Sequence, residues 1–387
     1  IQLTARVDEA QVAGYAVDGN LELQGSPGDA RLNVSLIDAG QGEIQLLSRG
    51  GLVNGTLSAT IEQLVLNHPQ AGQWEARPGA ELTLRADAGE LSLACLQRQD
   101  ASICGESTWQ KQRVDARMNI KSLQLETVPF LARFSDYRVA GRLDGQLAAV
   151  IDSTRVEQFL SDLELTNGSL THQPQTGEQR SIDFRSMTLT GTVDEDQLKL
   201  EVQSEDAHQG RLHARVSLPA ELSQLQKPET QYSAQLDAEI QHLERYSVFL
   251  PQAVLPSGQV LAALRLQGSR QAPRLSGNAS LKVPLIELGE PATVFSNSSV
   301  DLQLDGTDVS LQGKSELAGR PLRLDGNARI TSLDNWNASF TARADAIPLA
   351  GIPAINLQDD FTLDGILQAK LDFAVDHHLK IDSLDAD

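Results

Sequence analysis

Apolar and polar residues alternate along almost the whole chain, and this alternation restricts the fold more tightly than any other feature. Leu198, Leu200 and Val202 are interleaved with Lys199, Glu201 and Gln203, and Leu212, Ala214, Val216 and Leu218 with His213, Arg215 and Ser217. A period of two puts every second side chain on one face of an extended strand, so each run reads as a β-strand with one apolar and one wet face. The pattern returns at Leu236/Ala238/Ile240, Ala262/Leu264/Leu266, Ala279/Leu281/Val283 and Val300/Leu302/Leu304. It returns again at Leu322/Leu324 and at Leu367/Ala369/Leu371/Phe373. Asp-Gly pairs begin at Asp18, Asp144, Asp305, Asp325 and Asp364, and Asn-Gly pairs at Asn54 and Asn167. These dipeptides tolerate the positive φ of tight turns, and some simply end strands. The sequence therefore predicts an all-β chain of about twenty short strands, mostly antiparallel.

Two stretches leave the two-residue period. Around Val128, Phe130, Leu131 and Phe134, and again around Leu243, Tyr246, Phe249 and Leu250, apolar residues recur every three to four positions, which suggests a short helix or apolar plug. Each plug leads into a glycine that opens a strand, Gly141-Arg-Leu-Asp-Gly-Gln-Leu-Ala and Gly258-Gln-Val-Leu-Ala-Ala-Leu-Arg. The same opening stands at Gly19-Asn-Leu-Glu-Leu and Gly365-Ile-Leu-Gln-Ala, so the four glycines are 122, 117 and 107 residues apart. They divide one continuous fragment, 1–387, into approximate repeats 1–136, 137–253 and 254–360 and the start of a further repeat at 361–387. Repeats of one supersecondary unit stack along an axis, so the sequence predicts a long molecule.

Composition narrows the function. Lys and Arg number 32 against 52 Asp and Glu, a formal net charge of −20. Such a surface repels phosphate backbones, which argues against nucleic acid as a partner. Aromatic residues are only 4%, and Leu and Ala carry most of the apolar load, so whatever face is buried is smooth and aliphatic. No basic and apolar leader precedes the alternating Ile1, Leu3, Ala5 and Val7. The longest apolar stretch, Ala346 to Ile355, contains Pro348 and Pro353 and falls well short of the roughly 20 residues of a membrane span. Any membrane anchor is expected outside this fragment.

Catalytic and metal motifs find little support. His377 and His378 follow Asp376, and His208 and His213 lie near Asp206. Adjacent imidazoles on a strand face opposite sides, and strand-spaced ones stand apart on one, so these histidines read as residues of the polar face. Asp194-Glu-Asp196 lacks the glycine and terminal glutamate of a calcium loop and reads as a solvated turn. There is no phosphate loop, nucleophile elbow or paired zinc-ligand spacing. The chain is read as a non-enzyme, with no catalytic residue, no metal site and no cofactor.

Cys95 follows Leu91 and Leu93 on one alternating run, and Cys104 stands nine positions on, after the polar stretch Gln97-Arg-Gln-Asp-Ala-Ser. A hairpin would set the two opposite one another, near the Cα separation a disulfide needs. The other reading is a pair of buried thiols in a reducing compartment. A zinc site would need a second Cys or His pair nearby.

The block Trp74-Glu-Ala-Arg-Pro, Leu91-Ser-Leu-Ala-Cys95-Leu and Ile103-Cys104-Gly-Glu-Ser-Thr-Trp109, followed by the plug and Gly141, resembles a middle or C-terminal segment of the TamB family of bacterial AsmA-like proteins. Gly258-Gln-Val-Leu-Ala-Ala-Leu-Arg-Leu-Gln-Gly268, Ala272-Pro-Arg-Leu-Ser-Gly277, Val300-Asp-Leu-Gln-Leu-Asp-Gly306 and Leu322-Arg-Leu-Asp-Gly326 are similar to that family's repeat pattern. The resemblance covers nearly the whole chain and is strongest from Trp74 to Ile330. It implies an elongated, twisted sheet folded into an open trough, a β-taco or repeating β-groove with an apolar interior. It implies a periplasmic protein, anchored to the inner membrane by a segment not present here, that carries phospholipids between inner and outer membranes. An outer-membrane barrel of the TamA/BamA type is the implied protein partner, and phospholipid acyl chains the implied ligand.

On that reading the groove is lined by Leu198, Leu200, Val202, Leu212, Val216, Ala262, Leu264, Leu266, Leu281 and Val283. Val300, Leu302, Leu304, Leu322, Leu324, Leu367 and Leu371 continue the lining. A sealed sandwich core would alternate in the same way. The competing function is a structural β-solenoid that assists autotransporter assembly through its sheet edges and carries no lipid.

Overall fold

In the computed structural model, the residues described are 2–12, 15–38, 42–128, 137–172, 180–208, 210–249, 253–288, 293–332, 335–348, 365–376 and 381–386. The chain divides into two units, one of Ile1–Leu170, Thr188–Leu198 and Ala220–Leu222, the other of Thr171–Met187, Lys199–Pro219 and Ser223–Asp387.

In the first unit the alternating sequence forms β1 (Gln2–Val12), β2 (Tyr15–Ser26), β3 (Asp29–Asp38), β4 (Glu43–Val53), β5 (Thr56–His68) and β6 (Gly72–Ala76). It continues as β7 (Ala80–Leu84), β8 (Ala88–Arg98), β9 (Ala101–Gln110), β10 (Arg113–Gln124), β11 (Tyr137–Asp152) and all but the end of β12 (Arg155–His172). Consecutive strands pair antiparallel from β1 to β5 and from β8 to β11. Between these runs, β6 and β7 share one place in the ladder: β5 pairs with β7 through Leu57–Ile61 and with β6 through Val65–His68, and both pair with β8. Pro78, which has no N–H to give, stands at the break, while Arg77 N donates to the Cys95 carbonyl and Gly79 N to that of Ile61.

The strands β13 (Arg180–Asp194) and β14 (Gln197–Asp206) contribute residues to both units. The second unit continues through β15 (Arg211–Pro219), β16 (Tyr232–Ile240), β17 (Ala253–Gly268), β18 (Pro273–Leu288) and β19 (Thr293–Gly306). It ends with β20 (Asp308–Leu317), β21 (Arg320–Ser332), β22 (Asn335–Pro348), β23 (Ile366–Asp376) and β24 (Ile381–Ala386). From β15 to β24 every strand pairs antiparallel with the next.

The all-β antiparallel architecture agrees with the sequence reading, but the strands are not uniformly short: β12 runs for 18 residues and β11, β17 and β18 for 16 each. Most glycine dipeptides lie inside strands. Asn54-Gly55 makes a two-residue hairpin turn with φ of 52° and 77°, whereas Gly19, Gly145, Gly168 and Gly326 stand within β2, β11, β12 and β21. They are there for contact. A Cβ on Gly145, at φ +141°, would come 2.1 Å from the Asp162 carbonyl oxygen, and one on Gly326 2.6 Å from the Phe340 ring. Asp364 lies outside the described residues. The first plug reduces to a 3₁₀ turn at Leu125–Thr127 followed by Val128, with Phe130, Leu131 and Phe134 outside the described residues. The second plug is the 3₁₀ turn Leu243–Phe249, with Leu250 outside the described residues.

Candidate functional site

Antiparallel partners share a face, so the register lists what each face carries. In the second unit one row runs Leu212, Ala238, Ala262, Ala279, Leu302, Leu311, Gly326, Phe340 and Phe373, one residue from each of nine strands. The next row runs Val260, Leu281, Val300, Gly313, Leu324, Ala342 and Leu371. Leu264 and Leu304 both face Gly277, and Leu266 faces Ala234, which in turn faces Val216. Leu322 pairs with Ala344, Leu367 with Ile347, and Val283 with Ser298. These predicted residues thus form one registered aliphatic face. The intervening Arg265, Lys282, Asp301 and Arg323 lie on the other face, exposed. Bulk is matched across strands: glycine faces leucine at Gly313 and Leu324 and an aromatic ring at Gly326 and Phe340, and Phe340 stacks on Phe373 at 5.1 Å.

Leu200 and Val202 join this face through the opposite one. His213 Nε2 lies 2.6 Å from Glu201 Oε1, which brings the polar sides of β14 and β15 together and leaves Leu200, Val202, Leu212 and Val216 on the reverse. Leu198 is half-buried and belongs to the first unit.

Burial along the face is partial. Leu264, Leu281, Leu302 and Leu324 are half-buried and Leu212 is 37% exposed, where the interior of a sealed sandwich would be dry. Full burial is confined to small clusters. Ile347, 1% exposed, packs with Leu317 and Ala344. Val283 packs with Leu243 from the 3₁₀ turn, backed by Val260, Leu281 and Tyr246. That turn is pinned by a buried carboxylate: Asp206 accepts hydrogen bonds from the backbone N–H groups of His208 and Gly210, both at 2.7 Å, and from the Tyr246 hydroxyl at 2.9 Å. Burial alone would raise the Asp206 pKa, but these three donors outweigh it and hold the group below 3.8. Burial and the neighbouring carboxylate together push the Tyr246 hydroxyl well up. His208 is thereby placed in a turn, its ring edge-on to His242 at 5.8 Å. His377 and His378 lie outside the described residues.

The first unit has a face of its own that the sequence reading did not single out. One row joins Gly19, Leu36, Ile44, Leu66 and Trp74, and another Ala76, Leu96, Ile103, Ile120 and Gly145. Between them lies a hollow of about 450 Å³, floored by Trp74, whose indole Nε1 donates to the Ala71 carbonyl. The signal was present in the alternation of Leu32, Val34 and Leu36, but the broken strand β6/β7 hides how Trp74 and Leu96 meet. A bulge between Ile120 and Leu123 is capped by Asp144, which accepts from Ser122 N at 2.8 Å and from Arg142 Nε at 2.7 Å. Asp144 therefore serves a bulge instead of a hairpin turn. Cys95 and Cys104 are register partners in β8 and β9, 4.0 Å apart at Cα, and form a disulfide.

Among the described residues, no group of three or more His, Cys, Asp or Glu side chains is arranged to hold a metal, and no helix is long and apolar enough to cross a membrane. A family model described as TamB, N-terminal domain, matches residues 1–281, more than half of the chain. The resemblance pointed to a middle or C-terminal segment, whereas the matching model describes the N-terminal domain. With its antiparallel sheet faced on one side by registered aliphatic residues, the chain belongs to the TamB family.

Proposed function

We propose that the chain is a non-catalytic, periplasmic segment of a bridge-like protein that carries phospholipids between inner and outer membranes, with acyl chains lying on the aliphatic face. Outer-membrane biogenesis and integrity depend on it in this reading, with an inner-membrane anchor and the contact to a TamA/BamA-type barrel supplied by other parts of the protein. The observation that carries the proposal is the half-buried register of Leu264, Leu302 and Leu324. A half-buried apolar face gains about 0.8 kcal/mol for each methylene it covers, while headgroups stay in water. Mass spectrometry of the organic extract of the purified chain tests this. Phospholipid at or above one molecule per chain is expected. Lipid-free protein that bound unfolded barrel strands at its sheet edges would instead favour a role in autotransporter assembly without lipid.

A further inference from the structure

The hollow in the first unit has one polar end. Asp38 and His68, two residues beyond Leu36 and Leu66 on their strands, line that end. Arg98, two residues beyond Leu96, stands at its edge across Gly72, in an adjoining polar recess with Gln73, Glu75 and Gln97. Two bare glycines of the wall carry them. Gly42 lies against both the Asp38 carboxylate and the edge of the His68 ring, and a Cβ there would come 2.8 Å from Asp38 Oδ2. Gly72, the register partner of His68, is covered by the Arg98 guanidinium, three of whose atoms would each lie 3.0 Å from an added Cβ. Asp38 Oδ1 accepts from Gly42 N at 2.7 Å, and His68 Nδ1 from Gln70 N at 3.1 Å, so both side chains are fixed. The Arg98 side chain makes no ion pair or hydrogen bond among the described residues, although the chain carries a net charge of −20.

We infer that this rim reads the headgroup of a zwitterionic phospholipid whose acyl chain enters the hollow, an inference that rests on the lipid-carrying reading above. The planar Arg98 guanidinium takes the phosphate, for which its fork of donors is suited. The Asp38 carboxylate takes the amine and disfavours a headgroup with a net negative charge. A cavity of about 450 Å³ is within the range that buries a small ligand or a chain segment. The pairing is partly solvated, so discrimination is modest, about two- to fivefold.

Trp74 on the floor makes the test local. With Trp109→Phe and Trp336→Phe it is the remaining tryptophan of the three, and lipids with brominated acyl chains quench it when they enter the hollow. Vesicles carrying brominated phosphatidylethanolamine, phosphatidylglycerol or diacylglycerol serve as probes. The expected order of half-quenching concentrations puts phosphatidylethanolamine lowest, by about two- to fivefold over phosphatidylglycerol. Arg98→Gln should raise the midpoints of both phospholipids by a similar factor and leave that of diacylglycerol unchanged. Asp38→Asn, which keeps an acceptor for Gly42 N, should remove the preference for phosphatidylethanolamine. The inference is overturned if phosphatidylglycerol quenches as well as phosphatidylethanolamine in the parent protein, or if Arg98→Gln shifts diacylglycerol as much as the phospholipids. Absence of Trp74 quenching by every probe would overturn the inference, whereas lipid-free organic extract of the purified chain would overturn the lipid reading on which it rests.

Discussion

Asp206 is a buried carboxylate with three donors, one of them the Tyr246 hydroxyl that fastens the 3₁₀ turn Leu243–Phe249 over Val283. Tyr246→Phe removes a single hydrogen bond to a charged acceptor and should cost about 1–2 kcal/mol at neutral pH. The pH dependence follows in sign. A carboxyl held below its ordinary 3.8 contributes stability that is full above its unfolded pKa and is lost as pH falls through the folded value. Deleting the hydroxyl lets the folded pKa rise towards normal, so the gap in melting temperature between parent and variant should be widest near pH 7 and close below about pH 4. A gap that stayed constant down to pH 3 would mean that the hydroxyl acts by packing alone. The disulfide makes a separate prediction. Protein from an oxidising compartment should take up no alkylating label before reduction and two labels after it, and Cys95→Ser with Cys104→Ser should cost about 2–3 kcal/mol in urea unfolding for a loop of this size.

Individual elements explain why the alternation was readable and the turns were not. A period of two survives most local accidents, so β16 to β19, β21 and β23 are legible in the side-chain pattern between Leu236 and Phe373, whereas β20 and β22, where Gly313 and a run of alanines thin the apolar side, are not. Turn chemistry is weaker, because a two-residue hairpin between long ladders forces positive φ on whatever residue stands there. Gln99, Lys111, Ser153 and Glu195 all open such turns with φ between 47° and 56° and none of these turns has the glycine or asparagine that would advertise it, while Ala318, at 52°, has a glycine only at the second position. Conversely, the Asp-Gly pairs at Asp18, Asp144 and Asp325 sit mid-strand because a neighbouring backbone or ring needs the room. The hollow was illegible for a related reason: it depends on two strand fragments, β6 and β7, sharing one ladder position around Pro78. Strain at these turns can be relieved. Ala318→Asn places an αL-tolerant residue before Gly319 and should stabilise the β20–β21 hairpin by about 0.5–1 kcal/mol, read as a higher urea midpoint with unchanged slope. A lower midpoint would show that the ladder imposes no cost at this position.

Whether an inward charge can escape to water depends on how the sheet as a whole leaves its aliphatic face, and a single substitution asks the question. Leu281 and Leu302 share that face, but their surroundings differ: Leu281 backs the buried Leu243–Val283 cluster, while Leu302 lies in the long row between Ala279 and Leu311. An unpaired carboxylate in a dry interior costs several kcal/mol and would unfold the sheet around it, whereas on a face open along one side the side chain bends towards solvent. Leu302→Asp should therefore leave the melting curve nearly unchanged. Leu281→Asp should lower it, because the carboxylate is set beside Val283 and the 3₁₀ turn. The charge at residue 302 nevertheless interrupts a face on which acyl chains would have to slide, so the same variant in the complete protein should lose lipid transfer and weaken the outer membrane. Stable folding with lost transfer supports an aliphatic conduit. Collapse of the fold at Leu302→Asp would mean a sealed core, and normal transfer by a stably folded Leu302→Asp protein would mean that lipid does not travel over this row.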